Sequence, residues 1–281
     1  FIIYRNKRAE ARELAKEKVE KKLSENTFKI TKTTWKKESF DMSKVEKTYK
    51  IVSFWLARKC RFEEISDSLK KYIVEGMKTS DITKMLIKSA IDLISIENTS
   101  WQFIAWRLAL IDLYKEASNN RKMDIKKIYE AKHYVELFDE YVKSGLYSKN
   151  FYNYYSKEDI LEAGKYLKKE YDFEYNYTTI LMYKKRYLLN PNKKVKELPQ
   201  EMYMSIALFL AMPEPKETRL KIAKKIYDYC ASGKISLPTP TLLNARTNFH
   251  QLSSCFKFNV EDDLRAIYHA IENMAQVSKF G

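Results

Sequence analysis

The sequence predicts a mostly α-helical protein with an extended, strand-like stretch near its C-terminal end. Apolar residues recur at helical spacing over long segments, and residues 8–25 (RAEARELAKEKVEKKLSE) alternate charge sign at the same spacing. Only 5 Gly and 6 Pro occur in 281 residues, which is too few for a β-rich fold with many tight turns. With 45% hydrophobic and 32% charged residues, the composition is that of a globular protein.

The N-terminal part is predicted to form a charged helix and then a short hairpin. The helix covers residues 5–25, with its apolar residues on one narrow stripe. Residues 27–44 alternate β-branched or aromatic residues with polar ones around a polar turn, which is typical of a hairpin. Asp41 or Ser43 is available as the N-cap of the helix that follows.

Residues 44–118 have a helical pattern throughout. Ser80 is predicted to cap one helix, and Asp81 suits the helix dipole in its first turn. The apolar positions on one face of that helix are Ile82, Leu86, Ala90, Leu93 and Ile94. The next helix, Trp101 to Ala117, is apolar nearly all round, and we therefore expect it at the centre of a small bundle.

Residues 120–234 continue as helices separated by Tyr-rich loops. Met202–Met212 is strongly apolar, and Pro215 ends this helix before another begins at Glu217. Gly233 lies where a helix C-cap is expected.

The pattern changes at Ile235, after which the chain is extended, punctuated by prolines and rich in hydroxyl groups. Ser254–Val260 is predicted to be a buried strand. A helix is predicted from Val260 onward with three acids in its first turn. Its apolar face carries Leu264, Ile267, Tyr268, Ile271 and Met274.

The formal net charge is +15, from 52 Lys+Arg and 37 Asp+Glu. Residues 235–281 are locally neutral, and the excess elsewhere is mostly lysine interleaved with glutamate, which favours a solvated surface over a nucleic-acid-binding stripe. No G-x-G-x-x-G or G-x-x-x-x-G-K motif is present, which excludes Rossmann and Walker-type nucleotide sites. The sequence contains no run of about 18 apolar residues, the length that predicts a membrane-spanning helix.

The cysteines and histidines show no metal-ligand spacing. The three cysteines form no C-x-x-C pair, which favours a reducing cytoplasm over a secreted disulfide framework. Cys60 has basic neighbours but no visible partner base, and Cys230 is interpreted as a packing residue. The histidines, interpreted as surface residues, are His133, His250 and His269.

Chemistry is concentrated in the segment ISLPTPTLLNARTNFHQLSSCFKFNVEDDL. Two prolines bracket Thr239 and fix the backbone so that its hydroxyl is exposed. Cys255 follows two serines, and taken alone it is either a reactive thiol or a buried inert one. The blocks Ser236–Pro240, Arg246-Thr247, Gln251–Cys255 and Asp262–Leu264 together resemble the large, catalytic α subunit of class I ribonucleotide reductase.

The resemblance extends upstream, over roughly residues 28–281. Met77–Ile82, Asp92–Ser95 and Arg107–Ala109 look like the family's N-terminal ATP-cone, a short hairpin with helices. The resemblance implies a charged helix at 1–27, an ATP-cone at 28–119, a helical domain at 120–234 and the start of a ten-stranded α/β barrel at 235–281.

The resemblance also implies residue roles. Cys255 would be one of two active-site cysteines that supply electrons as the ribose 2′-hydroxyl leaves, pairing afterwards with a cysteine later in the chain. Thr239 would bind the substrate diphosphate, and Ser254 with Cys255 would line the substrate pocket. Asp262, Asp263 and Leu264 would belong to the specificity-effector site, on a helix at the interface of the large-subunit homodimer. Positions contacting ATP or dATP would be Lys32, the stretch from Glu38 to Lys44, Thr79 and Lys115.

The chain departs from the family in the hairpin. The family's turn glycine is Trp35 here, the family's arginine is Thr33, and a frequent histidine is Thr83. Glycine at the turn permits positive φ, which tryptophan resists. The alternative to a nucleotide-binding cone is therefore a structural cap with a solvated lysine face.

A second departure is that the family's N-x-C-x-E pattern around the radical-bearing cysteine is absent. We therefore expect a fragment or a split subunit that is inactive without a downstream segment, which a second polypeptide could supply. The resemblance implies a radical from a metal-containing small subunit, a homodimer, thioredoxin or glutaredoxin as reductant, and ATP, dATP and deoxynucleoside triphosphates as effectors. It implies no cofactor or metal bound to this chain itself. The alternative function is a helical nucleotide-sensing or nucleic-acid-binding module without catalysis.

Overall fold

The computed structural model describes residues 2–25, 27–32 and 35–280. The chain divides into two compact units. The first contains Phe1–Asp112 with Tyr175–Leu181, and the second contains Leu113–Glu174 with Met182–Gly281. Within the described residues, none of the helices combines the length and the apolar character needed to cross a bilayer.

The first unit is a hairpin surrounded by helices, as the sequence predicts. Its elements are α1 Ile2–Ser24, β1 Lys29–Thr31, β2 Lys37–Ser39, α2 Met42–Val52, α3 Phe62–Lys70, α4 Thr79–Asp92 and the first part of α5 Trp101–Arg121. The two strands are antiparallel, with Ile30 opposite Glu38. Asp41 is the N-cap of α2, because its side chain accepts a hydrogen bond of 2.9 Å from the backbone N–H of Ser43.

The start of α4 differs from the prediction, which was wrong about Ser80. The N-cap is Lys78, and the helix begins at Thr79. Lys78 is held in an extended conformation (φ −71°, ψ 145°) and forms a parallel bridge with Thr31 of β1. This tertiary pairing sets the first helical residue, and Ser80 falls inside the first turn.

The core of the first unit joins the hairpin to the faces of α3, α4 and α5. Its fully or almost fully buried side chains include Phe28, Ile65, Leu69, Ala90, Trp101, Ile104 and Leu108. The prediction that α5 is central is confirmed, because its apolar residues on several faces are buried. The helix is also longer than predicted, ending at Arg121.

The second unit is helical. Its elements after α5 are α6 Ala131–Lys143, α7 Phe151–Tyr154, α8 Lys157–Lys165, α10 Pro199–Leu210, α11 Lys216–Ala231, α12 Thr239–Asn244 and α13 Leu264–Phe280, with a π-helical turn at Tyr183–Tyr187. The short helix α9, Tyr177–Met182, belongs mostly to the first unit. Helix α10 packs along α11 and is buried over Pro199–Leu208. Gly233 follows α11 with φ 75°, a left-handed conformation that favours glycine and confirms the predicted helix end.

The C-terminal stretch contains the largest departures from the sequence-based expectation. Ser254–Val260 is exposed and is not a strand, because no neighbouring strand pairs with it among the described residues. Residues 239–244, expected to be extended, form α12. The three acids precede α13 rather than lying in its first turn, and Asp263 accepts hydrogen bonds from the backbone N–H groups of Arg265 and Ala266.

A fully buried carboxyl group, Asp172, joins four segments of the second unit. It accepts hydrogen bonds from Tyr114, from Tyr129 at 2.5 Å and from the Gln200 amide at 2.9 Å. Gln200 in turn accepts a hydrogen bond of 2.6 Å from Tyr227. Burial raises the pKa of Asp172 to about 6, although the tyrosine and glutamine hydrogen bonds lower it.

This raised pKa predicts that acidification stabilises the Asp172 cluster. Between the ordinary pKa of 3.8 and the folded value of about 6, Asp172 is protonated in the folded chain and ionised in the unfolded chain. The unfolding free energy therefore increases as the pH falls through this range. We expect the wild type to gain about 1 kcal/mol more than Asp172→Asn between pH 7.5 and pH 5. Urea unfolding at the two pH values measures this, and an equal response of the two proteins would contradict it.

Candidate functional site

Thr239 is the first residue of α12, directly after Pro238. It is half-buried, and its hydroxyl lies 3.1 Å from the hydroxyl of Tyr187. The prolines therefore place the hydroxyl at the start of a short helix, where a second hydroxyl holds it.

Arg246 lies just beyond the C-terminal end of α12 and is completely buried. Its guanidinium forms a two-point ion pair with Glu197, with Nε–Oε1 and Nη2–Oε2 distances of 2.8 Å each. It also donates to the carbonyl oxygens of Leu242, at 2.5 Å, and Tyr187, at 2.7 Å. One guanidinium therefore ties the helix that carries Thr239 to the turn that carries Tyr187.

Glu197 is equally buried and is saturated with donors. Besides Arg246, it accepts from the Tyr147 hydroxyl at 2.6 Å and from the backbone N–H of Leu189 at 2.7 Å. Although burial disfavours the charge on Arg246, the Glu197 carboxylate raises the pKa of the guanidinium above its ordinary value. Four of the five guanidinium N–H groups and both carboxylate oxygens have partners within the protein, which burial of an ion pair requires.

Cys255 is an exposed free thiol, whereas Cys60 and Cys230 are buried. Its Sγ lies 3.8 Å from the Oγ of Ser254. Burial raises the pKa of Cys60 to about 11 and raises that of Cys230 as well, in agreement with an inert Cys60 and with Cys230 as a packing residue. Among the three thiols, Cys255 is the one that solvent reaches.

The link between the Thr239 helix and the Cys255 segment is short but indirect. Asn244, the last residue of α12, donates from its side-chain amide to the carbonyl oxygen of Gln251 at 2.7 Å. The side chain of Gln251 accepts from the backbone N–H of Ser253 at 2.7 Å. The motif is thus anchored at Arg246; it is exposed at residues 248–250 and again from Ser253 onward.

The proposed effector positions lie at the start of α13. Asp262 and Asp263 precede the helix and Leu264 begins it, and all three are exposed. The apolar face of α13 is also open, with Leu264 72% and Tyr268 65% exposed.

The hairpin brings together three of the predicted ATP-cone residues. The Glu38 carboxylate forms ion pairs with the ammonium groups of Lys32 and Lys44, with N–O distances of 2.7 Å and 3.5 Å. The hydrogen bond from Lys32 lowers the pKa of Glu38 below its ordinary value. The two ammonium groups are thereby held at one edge of the hairpin.

Trp35 adopts φ 63°, so the turn keeps the left-handed conformation that suits the glycine found here in the family. Its backbone N–H donates to the Lys32 carbonyl oxygen at 2.9 Å. The backbone N–H of Lys32 donates to the Lys36 carbonyl oxygen at 2.8 Å and closes the turn. The exposed indole ring lies 4.6 Å from the Lys78 ammonium group. Thr33, the other substituted position in this turn, lies outside the described residues.

The remaining cone positions fall in different places. Thr79 begins α4, next to Lys78, and belongs to the same unit as the hairpin. Thr83 lies one turn further along α4 and donates to the Thr79 carbonyl oxygen. Lys115 is exposed on the part of α5 that belongs to the second unit.

Comparison with known proteins shows what the chain is similar to. Residues 173–250 match the family model described as "Ribonucleotide reductase, all-alpha domain", and they include Tyr187, Glu197, Thr239 and Arg246. The ribonucleoside-diphosphate reductase subunit alpha of Treponema pallidum is 38% identical over 200 residues, which is 70% of this chain and 23% of that protein. The Helicobacter pylori subunit alpha (strain 26695) is 34% identical over 253 residues, 90% of this chain and 30% of that protein.

A third relative is the ribonucleoside-diphosphate reductase 1 subunit alpha of Escherichia coli K12, 30% identical over 243 residues, 85% of this chain and 30% of that protein. The chain thus spans less than a third of the length of these relatives. It belongs to the ribonucleotide reductase family. Within that family it corresponds to the N-terminal region of the class I large subunit.

Sequence reasoning assigned no role to Tyr187 or Glu197, and it used Arg246 only as part of a motif. Tyr187 is one of 21 tyrosines, and nothing in its local sequence marks it as a neighbour of Thr239. The one available signal was that a strongly apolar segment is preceded by Glu197, a charged residue that burial requires to have a partner.

The buried pair predicts a large cost for removing one ion and a smaller cost for removing both. Glu197→Leu leaves the Arg246 guanidinium buried without its counter-ion, and we expect it to lower the unfolding free energy by about 3–5 kcal/mol. The double variant Glu197→Leu/Arg246→Met should regain much of this loss, because neither charge remains. Denaturant unfolding measures both, with Lys157→Ala as the control.

Lys157 forms a half-exposed ion pair with Asp139 at 3.3 Å, and its removal should cost at most about 1 kcal/mol. If the double variant is less stable than Glu197→Leu alone, the loss does not come from an unpaired charge.

Proposed function

We propose that this chain is the N-terminal part of a ribonucleoside-diphosphate reductase large subunit, which converts ribonucleoside diphosphates to deoxyribonucleotides. The observation that carries the proposal is the motif running from Thr239 to Cys255, which begins at a held hydroxyl, is anchored at buried Arg246 and ends at an exposed thiol. Because the chain spans less than a third of its relatives, turnover needs protein segments beyond these residues, on the same or a second polypeptide.

Thr239 is the proposed ligand of the substrate diphosphate. A hydroxyl donates to a phosphate oxygen through a charge-assisted hydrogen bond, which is stronger than a neutral one. Ser254 and Cys255 line the same substrate pocket in this proposal. Their exposure and their position after the anchored part of the motif support the assignment.

Cys255 is the proposed source of reducing equivalents. The reduction breaks the ribose C2′–O bond, forms a C2′–H bond in its place and releases the oxygen as water. Two thiols each give up one electron and one proton and form a disulfide, so Cys255 needs a second cysteine and afterwards a dithiol of the thioredoxin or glutaredoxin type. A small subunit with a metal centre supplies the radical that starts the reaction.

The first unit is the proposed binding site for ATP or dATP. Lys32 and Lys44 lie at one edge of the hairpin, and Lys78 lies beside the Trp35 ring at the start of α4. Ammonium groups bind phosphates as point charges, and the N-terminus of a helix favours anions. Thr79, at that terminus, completes the proposed set within the first unit.

The start of α13 is the proposed site for deoxynucleoside triphosphates that select the substrate. Asp262, Asp263 and Leu264 are exposed there. The open apolar face of the helix supports a homodimer in which a second large subunit covers it. The proposed setting is the cytoplasm, where an exposed thiol such as Cys255 stays reduced.

Nucleotide binding by the first unit is testable with the 281-residue chain. We expect calorimetry to show saturable binding of ATP or dATP, and Lys32→Ala to weaken it about tenfold, since one charge-assisted contact with phosphate is lost. Lys50→Ala is the matched control, because Lys50 lies on the adjacent α2 and pairs with Glu46 at 2.7 Å. Absence of binding at millimolar nucleotide would leave the structural-cap alternative.

Catalysis is testable by adding the missing parts. The chain, combined with a polypeptide carrying the rest of the large subunit, the small subunit and a dithiol, should reduce CDP. Cys255→Ser should abolish turnover, because serine cannot form the disulfide. Cys230→Ala, which alters a buried thiol, should retain it, and full activity of Cys255→Ser would refute the role of Cys255.

A further inference from the structure

The structure places Tyr187 against Thr239, the residue proposed to bind the substrate diphosphate. Tyr187 ends the π-helical turn Tyr183–Tyr187, and its hydroxyl lies 3.1 Å from Thr239 Oγ1. Tyr187 and Thr239 are both only half-buried, so neither residue is sealed inside the core.

Arg246 binds the backbone on both sides of the contact between Tyr187 and Thr239. Nη2 of the guanidinium donates to the Tyr187 carbonyl oxygen at 2.7 Å. Nη1 donates at 2.5 Å to the carbonyl oxygen of Leu242, one turn into α12. Glu197 fixes the guanidinium, and through the Leu189 N–H it also fixes the chain just after Tyr187. The two hydroxyls therefore meet because two backbone segments share one buried cation.

The direction of the hydroxyl hydrogen bond follows from the ligand. A threonine hydroxyl has one proton and two acceptor lone pairs, and a tyrosine hydroxyl can donate or accept. A diphosphate can only accept. When Tyr187 donates to Thr239, the Thr239 proton is available for the diphosphate, whereas in the opposite arrangement that proton points at Tyr187.

We propose that Tyr187 is a positioning residue for nucleoside-diphosphate binding, which donates to Thr239 and thereby directs the threonine proton toward the diphosphate. The Arg246–Glu197 pair is the support that holds Tyr187 in place. This inference rests on the proposed function of the chain, and it adds a residue that acts through Thr239.

The same turn offers a matched control. Tyr183 begins the turn, is buried, and has its hydroxyl 2.7 Å from the hydroxyl of Tyr203. Tyr183→Phe therefore deletes a hydroxyl–hydroxyl contact of the same kind, in the same turn, with Tyr203 as the partner instead of Thr239. Any effect of general loosening of the turn appears in both variants.

The experiment is steady-state CDP reduction by the complete large subunit with its small subunit and a dithiol. Tyr187→Phe should raise the KM for CDP about tenfold and leave kcat within about twofold, because the unoriented Thr239 hydroxyl binds the diphosphate more weakly, and equally so in the ground and transition states. Tyr183→Phe should leave the KM unchanged. An unchanged KM for Tyr187→Phe, or an equal rise in both variants, would overturn the proposal.

A double-mutant cycle tests whether Tyr187 acts through Thr239. Thr239→Val should raise the KM for CDP, and Tyr187→Phe added to it should have no further effect, because no threonine hydroxyl remains to be oriented. Thr239→Ser, which keeps the hydroxyl, should keep both the KM and the sensitivity to Tyr187→Phe. The same tenfold rise in the Thr239→Val background would contradict a role through Thr239.

Two checks separate the possible failures. The absence of CDP reduction in the wild-type assembly would refute the proposed function itself, before any variant is compared. If Tyr187→Phe does not fold, Thr239→Ser and Thr239→Val still decide the matter, since an equal KM for these two would show that the threonine hydroxyl needs no orientation.

Discussion

The ion pair between Glu197 and Arg246 is the interaction on which the arrangement of the candidate site depends. Both side chains are excluded from water, which is tolerable only because four of the five guanidinium N–H groups are used and the carboxylate receives two further donors. These partners come from segments far apart in sequence. A conformation that displaced any one of them would leave a buried polar group unpaired, which costs about 1–3 kcal/mol or more. The pair thus restricts where Thr239 and Tyr187 can lie.

The same principle extends along α10, which is buried nearly all round but is not uniformly apolar. Gln200 reaches Asp172 and Tyr227, and Glu201 is paired with Arg121 at 2.8 Å. Purely apolar helices can slide or rotate against their neighbours with small losses, whereas each of these polar groups is satisfied in one register. These polar contacts therefore restrict how α10 lies within the second unit, whereas the motif itself is exposed at residues 248–250 and from Ser253 onward.

The elements most accurately predicted from sequence are those governed by local rules. The hairpin, the Asp41 cap, the central position of α5 and the glycine after α11 each depend on side chains within a few residues of one another. The errors arise where a distant segment decides. Lys78, not Ser80, precedes α4 because it pairs with Thr31. Ser254–Val260 has the composition of a buried strand, but no described strand lies beside it, and β structure requires a partner.

The sequence by itself determined the family, the helical character of most of the chain, and the candidates Thr239 and Cys255, because motif spacing and periodicity are properties of the linear order. Only the tertiary structure decided that Cys255 is the exposed thiol, that Lys32 and Lys44 share Glu38, and that Tyr187 lies against Thr239. Tyr187 and Thr239 are separated by 52 positions, and they meet because a buried charge accepts only a fully hydrogen-bonded environment. That requirement acts through space and leaves no local pattern to read.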